Sequence, residues 1–265
     1  MRYAIEVHYV GKNFAGSQIQ LENGIEKEVP TIQGELEKAL STLILGRNAE
    51  IHKRPIKAVF SGRTDRGVNS TGQIVHFDTD AIIVASKFIY SLNEILPNEI
   101  SVSSLKQVDE GFHAQKSAIS RHYQYIFINR KCKDAFDGDL LRVKFDIDLN
   151  RMQKSLNYLL GEHDYSSFKN SGTLNPSKVC FITKAECQKI GDKVYIDVIG
   201  NRFLYNMIRT IVGTLLEIEG KNLPAEHMKS VLEVRDRRQA GKTVSPYGLT
   251  LIKVKYNENK NGEKA

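Results

Sequence analysis

The stretch Ser61-Gly62-Arg63-Thr64-Asp65-Arg66-Gly67-Val68-Asn69-Ser70-Thr71-Gly72-Gln73 lies between two runs that read as strands, Lys57 to Ser61 and Ile74 to Thr79. It is too long for a tight hairpin. Its three glycines let the backbone turn sharply and let a ligand approach closely. Asp65 stands between Arg63 and Arg66. An arginine neighbour favours the ionised carboxylate and lowers its pKa by roughly 1–3 units. An anionic carboxylate held in place can act as a nucleophile or support a developing cation. A salt bridge in a surface turn accounts for the same spacing.

Upstream of this loop, Tyr3, Ile5, Val7 and Tyr9 alternate with Ala4, Glu6, His8 and Val10, the period of a strand. A polar loop with Gly11, Gly16, Gly24 and Pro30 follows. Thr31 is then placed to cap a helix that carries Leu36, Ala39, Leu40 and Leu43. Downstream, Ser86 opens a helix through Ile95, stopped by Leu96-Pro97-Asn98, and Ile100 to Val108 reads as a fourth strand. The second half has a long strand over Ser117 to Ile128, a helix from Arg151 to Leu160 capped by Asn150, and strands at Val179 to Ile190 and Lys193 to Ile199. A long helix over Phe203 to Glu219, a short helix with Pro224 in its first turn and a strand over Leu249 to Tyr256 complete it. Hairpin-joined strands mixed with helices predict an α+β fold with helices on one face of a mainly antiparallel sheet. The boundary falls near 111–116. It divides the chain into domains over 1–112 and 113–256, with a polar tail over 257–265 expected to be disordered.

Composition narrows the function classes. A length of 265 residues suits about two domains and a core that needs no disulfides or metals. Apolar runs such as Ala81-Ile82-Ile83-Val84-Ala85 are too short to span a membrane. The alternating pattern that begins at Arg2 predicts that this N-terminus is a strand and not a signal peptide. Lys plus Arg number 38 against 31 Asp plus Glu, a net charge of +7 that favours a polyanion partner without establishing one. Cys132, Cys180 and Cys187 fit no zinc template, and their odd number suits a reduced cytoplasmic chain. His76, Asp78 and Asp80 alternate on a strand as metal ligands can, but they lack a further partner.

Several ordered motifs resemble one family. Gly62-Arg63-Thr64-Asp65, with Gly67-Val68 and Gly72-Gln73-Ile74-Val75, is similar to the catalytic signature of the tRNA pseudouridine synthase A family. Thr31 to Glu37 looks like that family's first helix. Phe112-His113-Ala114 with Ser117-Ala118 and Arg121 to Tyr125 looks like its second motif, and Gly161 to Phe168 like its third. Phe203 to Arg209 with Gly213 resembles the fourth, and Gly248-Leu249-Thr250-Leu251 its closing strand. The resemblance covers about 250 residues. It implies isomerisation of uridine to pseudouridine at positions 38, 39 and 40 of the tRNA anticodon stem-loop, with no cofactor and no metal. It also implies two domains sharing one extended sheet, and a homodimer.

Under that resemblance Asp65 is the catalytic aspartate, acting at C1′ of the ribose or at C6 of the base. Arg209 contacts the aspartate. Tyr123 stacks on the flipped uracil, and Arg63 orients the loop or fills the hole left by the extruded base. A stacked uridine must be flipped out before it can react, so a basic cleft between the halves is expected. Independently of the family, Arg202, Asn206, Arg209 and Gly213 fall on one helical stripe, where the glycine suits close approach of an anion. Arg121, Tyr123 and Tyr125 share one strand face, a plausible RNA platform. Arg66, Arg121, Arg202, Arg237, Arg238 and Lys242 are candidate RNA contacts. Three positions depart from the family pattern: Ser17 for a usual Trp, Arg66 for a usual Ala, and Asn69 for a frequent His. Ser17 and Arg66 are expected near the RNA path. A non-catalytic RNA-binding protein or RNA chaperone would share the basic and aromatic features without needing Asp65.

Overall fold

The computed structural model describes residues 1–22, 25–26, 29–46, 56–170 and 177–257. Gly24 and nearly all of the proposed tail lie outside these residues. The chain forms two compact units, one of Met1–Ile119 with Leu251–Ala265, the other of Ser120–Thr250. The class is α+β, as the patterning predicts. Helices and strands are mixed within each unit. The pairings among Arg2–Tyr9, Asn69–Asp78 and Ile100–Val108 and among Ala118–Asn129, Gly161–Asp164, Val179–Ile190 and Lys193–Gly200 are antiparallel, while Ala118–Asn129 and Arg142–Val143 pair in parallel.

In the first unit, β1 (Arg2–Tyr9) pairs antiparallel with both β5 (Asn69–Asp78) and β6 (Ile100–Val108). β4 (Val59–Phe60) pairs with the far half of β5, and β12 (Leu249–Tyr256) follows β5 in the strand order. The short strands β2 (Leu21–Glu22) and β3 (Ile25–Glu26) pair only with each other. Tyr3, Ile5, Val7 and Tyr9 of β1 point to one side, and α1 (Ile32–Leu45) and α2 (Ala85–Ile95) bury Ile32, Leu36, Leu40 and Leu92 in the same core. The period-two pattern of β1 thus places the helices on one face. Thr31 caps α1 as expected, its Oγ1 accepting from the Gly34 amide at 3.1 Å.

In the second unit, β7 (Ala118–Asn129) pairs with β11 (Lys193–Gly200), β11 with β10 (Val179–Ile190), and β10 with β9 (Gly161–Asp164). β8 (Arg142–Val143) adds the parallel pair beside β7. The helices are α3 (Leu149–Asn157), α4 (Met207–Gly220) and α5 (Glu226–Val234). α3 packs on β10 and on both other helices.

Several boundaries differ from the reading of the sequence. β5 begins at Asn69, so the back half of the glycine-rich loop is strand; a Cβ on Gly72 would stand 2.2 Å from the Ile252 carbonyl oxygen, which explains the glycine. α3 is capped by Asp148, whose Oδ1 accepts from Asn150 at 2.8 Å and Arg151 at 3.2 Å, and Asn150 is helical. Glu162-His163-Asp164, within the stretch that looks like the third motif, form an edge strand. α4 starts at Met207 because Asn206 takes a left-handed backbone, φ +61°, that a continuing helix excludes. Pro224 lies just before the Ala225 N-cap of α5, outside the first turn.

Candidate active site

Eight residues, 61–68, connect β4 to β5 in the first unit. The turn at the tip closes through the Val68 amide, which donates to the Asp65 carbonyl at 3.1 Å. Gly67 has φ +82° and donates its amide to the Gly11 carbonyl at 3.2 Å. Thr64, just before Asp65, is buried and held from three directions. Its amide donates to Ser17 Oγ at 2.8 Å, its carbonyl accepts from the Ser17 amide at 3.1 Å, and its Oγ1 meets the Tyr9 hydroxyl at 2.8 Å. Gln73 completes the network, its Nε2 donating to the Gly62 carbonyl at 2.9 Å and its Oε1 accepting from Ser61. Burial pushes the Tyr9 hydroxyl up to about 12, against the opposing pull of its hydrogen bonds, so it stays a protonated donor at neutral pH. Asp65 itself is half-buried, and Arg63 and Arg66 are exposed on either side.

This geometry corrects one expectation. Ser17 is 0% exposed and acts as a clamp on Thr64, so it does not lie along a surface path. Asn69 turns inward, its Oδ1 accepting from the Gly11 amide at 2.9 Å. Arg66 remains exposed. The sequence reading missed Tyr9 and Gln73 as parts of the loop's support. Tyr9 belongs to a strand alternation that predicts only apolar packing.

In the second unit, the Tyr123 ring on β7 is partly exposed and meets Phe203 edge-on at 5.1 Å. Arg121, on the same strand face, donates through Nη1 to the Asn201 carbonyl at 2.7 Å. Tyr125 is fully buried and donates to the Ser245 carbonyl at 2.9 Å; burial raises its pKa, with Arg209 pulling the other way. Its place is therefore structural. Arg209 lies in the first turn of α4. Its Nε donates to the Val244 carbonyl at 2.8 Å and its Nη1 to Asn206 Oδ1 at 2.6 Å.

Gly213 does not open the helix to an anion. A Cβ there would meet the Lys242 carbonyl oxygen at 1.8 Å, so the glycine admits a neighbouring backbone. The expected stripe also fails, since Arg202 and Asn206 precede the helix and α4 is buried on nearly all sides.

The remaining basic candidates differ among themselves. Arg237 is engaged internally, donating to Asn170 Oδ1, Thr243 Oγ1 and the carbonyls of Ala240 and Gly241, and burial lowers its pKa. Arg238 pairs with Asp236 at 2.7 Å. Lys242 is exposed and Arg202 partly so.

His76 Nδ1 accepts from the Ala114 amide at 3.1 Å, and Asp78 pairs with Arg2 at 2.7 Å, so neither presents a ligand to a metal. Among the described residues no group of three His, Cys, Asp or Glu side chains is placed to hold a metal ion. Burial pushes the Cys180 and Cys187 thiols up to about 11, which leaves them unreactive at neutral pH. Among the described residues no helix is long and apolar enough to cross a membrane.

A family model described as tRNA pseudouridine synthase matches residues 156–257. tRNA pseudouridine synthase A of Colwellia psychrerythraea is 37% identical over 260 residues, 98% of this chain and 95% of the relative. The protein of the same name from Brevibacillus brevis is 38% identical over 94% of this chain and 96% of its own, and that from Buchnera aphidicola 39% over 96% and 92%. One chain of a solved Cbf5-Nop10-Gar1 complex aligns over 82% of this chain and 54% of its own at 11% identity and a TM-score of 0.33, an overlap too loose to bear on the fold. The near full-length relatives define a class of isomerases. The chain belongs to the tRNA pseudouridine synthase A family.

Proposed function

We propose that the protein isomerises uridine to pseudouridine in tRNA, at positions 38, 39 and 40 of the anticodon stem-loop, with Asp65 as the catalytic carboxylate. The reaction breaks the C1′–N1 bond, turns the uracil and forms a C1′–C5 bond. N1 gains a proton and C5 loses one, so no group is transferred and no redox change occurs. Asp65 serves either by attack at C1′, as carboxylates do in glycosidases, or by addition at C6. The observation that carries this reading is the loop itself: a half-buried Asp65 next to a threonine that buried polar groups hold from three directions. Such a fixed backbone is what a carboxylate needs to meet one atom of a substrate reproducibly.

Tyr123 would stack on the flipped uracil, which offsets part of the few kcal/mol that flipping costs. Arg209 would contact Asp65, and Arg63 would orient the loop or occupy the vacated stack. The exposed Arg66 and Lys242, with Arg121, Arg202 and Arg238, would meet phosphates, with Arg237 fixing the segment beside them. The two domains would form a basic cleft, and the protein would work in the cytoplasm as a homodimer.

The test is to map pseudouridine in unmodified tRNA transcripts after incubation with the pure protein and no cofactor. Pseudouridine at 38 to 40 is expected. Modification elsewhere would keep the chemistry and overturn the target. Tight binding without modification by a folded sample would replace the enzyme with an RNA chaperone.

A further inference from the structure

The start of α4 combines two features that a simple helix end does not need. Asn206 occupies the N-cap with φ +61° and ψ 9°, although N-caps ordinarily take an extended backbone. Its side chain makes no cap hydrogen bond, although asparagine is among the best capping residues. The carboxamide is turned instead onto Arg209, whose Nη1 donates to it at 2.6 Å. A guanidinium only donates, so the facing atom is the amide oxygen.

A second anchor acts from another edge of the same group. Arg209 Nε donates to the Val244 carbonyl at 2.8 Å, and the Val244 amide donates back to the Arg209 carbonyl at 3.3 Å. Gly213 and Gly241 allow this approach, since a Cβ on either would meet backbone oxygen within 2.5 Å. Two acceptors, one on Nε and one on Nη1, fix both the plane and the rotation of the guanidinium.

We propose that Asn206 is a positioning residue, whose carboxamide oxygen sets the angle at which Arg209 presents its guanidinium to the reacting centre. The left-handed backbone is what aims it, and asparagine tolerates that conformation better than any residue except glycine. This rests on the reading that Arg209 serves the isomerisation.

The test uses Asn206→Gly, which keeps the left-handed backbone and removes only the carboxamide. Single-turnover pseudouridine formation should fall about tenfold, with tRNA affinity within about twofold of wild type. In an Arg209→Ala background the same change should cost less than about twofold, because a residue that acts through another has no effect once its partner is gone. Asn206→Asp, which retains an acceptor oxygen, should restore most of the rate. An equal fall in both backgrounds, an unchanged rate in the single variant, or a rate loss that merely follows a lowered Tm and lost tRNA binding would overturn the proposal. Wild-type rates in Arg209→Ala would overturn its premise as well, and that result is distinguishable from all the others.

Discussion

The loop that carries Asp65 and the helix end that carries Arg209 fix their groups in opposite ways. In the loop the backbone is the fixed part. Ser17 and Tyr9 hold Thr64, Gln73 holds Gly62, Asn69 holds Gly11, and the flanking Arg63 and Arg66 stand exposed. At the helix end the side chain is the fixed part, since the guanidinium is bonded to Asn206 and Val244. A short carboxylate follows its backbone closely, so fixing the chain does most to place it. An arginine has four side-chain torsions between its backbone and its charge, so its head must be held directly.

The largest effects should come from the glycines that bring these segments against their neighbours. Gly11→Ala would drive a Cβ to 2.1 Å from the Val68 oxygen, and Gly213→Ala to 1.8 Å from the Lys242 oxygen. Each should cost about 2–4 kcal/mol in denaturant unfolding. Hydrogen exchange should rise mainly around residues 61–69 for the first and 241–245 for the second. A neutral result for either would break the comparison on that side.

Acid should act on the loop side. β5 carries His76, held neutral with its pKa pushed down to about 4 from 6.5 by burial, aided by Arg2 and His113 and opposed by Asp78. Above pH 6.5 the ring is neutral in both folded and unfolded chains. Below it the unfolded chain takes up the proton first, so stability falls with pH from about 6.5 and the loss levels off below about 4. The loss should reach on the order of 3 kcal/mol. Unfolding curves at pH 7 and 4.5 should converge more for His76→Gln than for wild type. Equal pH dependence in the two would contradict the assignment.

Ser17→Ala sharpens the comparison at a smaller scale. It strips the buried Thr64 amide of its acceptor, at about 1–3 kcal/mol. It should also lower the turnover rate more than tRNA affinity, since Thr64 adjoins Asp65. Loss of affinity alone would return Ser17 to the RNA path. The smallest effect lies outside both regions. Arg235, at φ +54° in the α5 C-cap, should gain about 0.5–1 kcal/mol on change to glycine, measured as a raised Tm.

Much of the fold was legible because periodicity reports burial directly. β6, β10, β11 and β12 and the Thr31 cap follow from alternation and capping chemistry alone. The start of α4 was hidden because Asn206 is the one mark of a left-handed residue in Phe203-Leu204-Tyr205-Asn206, and asparagine is equally at home in other conformations. The glycines were visible but their partners were not: Gly213 reads as space for a ligand until the Lys242 backbone is seen to fill it. Asp65 and Arg209 stand out by charge in their surroundings. Three of the groups that hold them, Ser17, Tyr9 and Val244, are distant in sequence and chemically ordinary, so only tertiary structure connects them.

The most direct measurement compares wild type with Asp65→Ala for single-turnover pseudouridine formation and for tRNA binding on the same preparations. The account predicts that pseudouridine formation is abolished while tRNA affinity stays within a few-fold of wild type. Pseudouridine formed at an appreciable rate by the folded variant would contradict it.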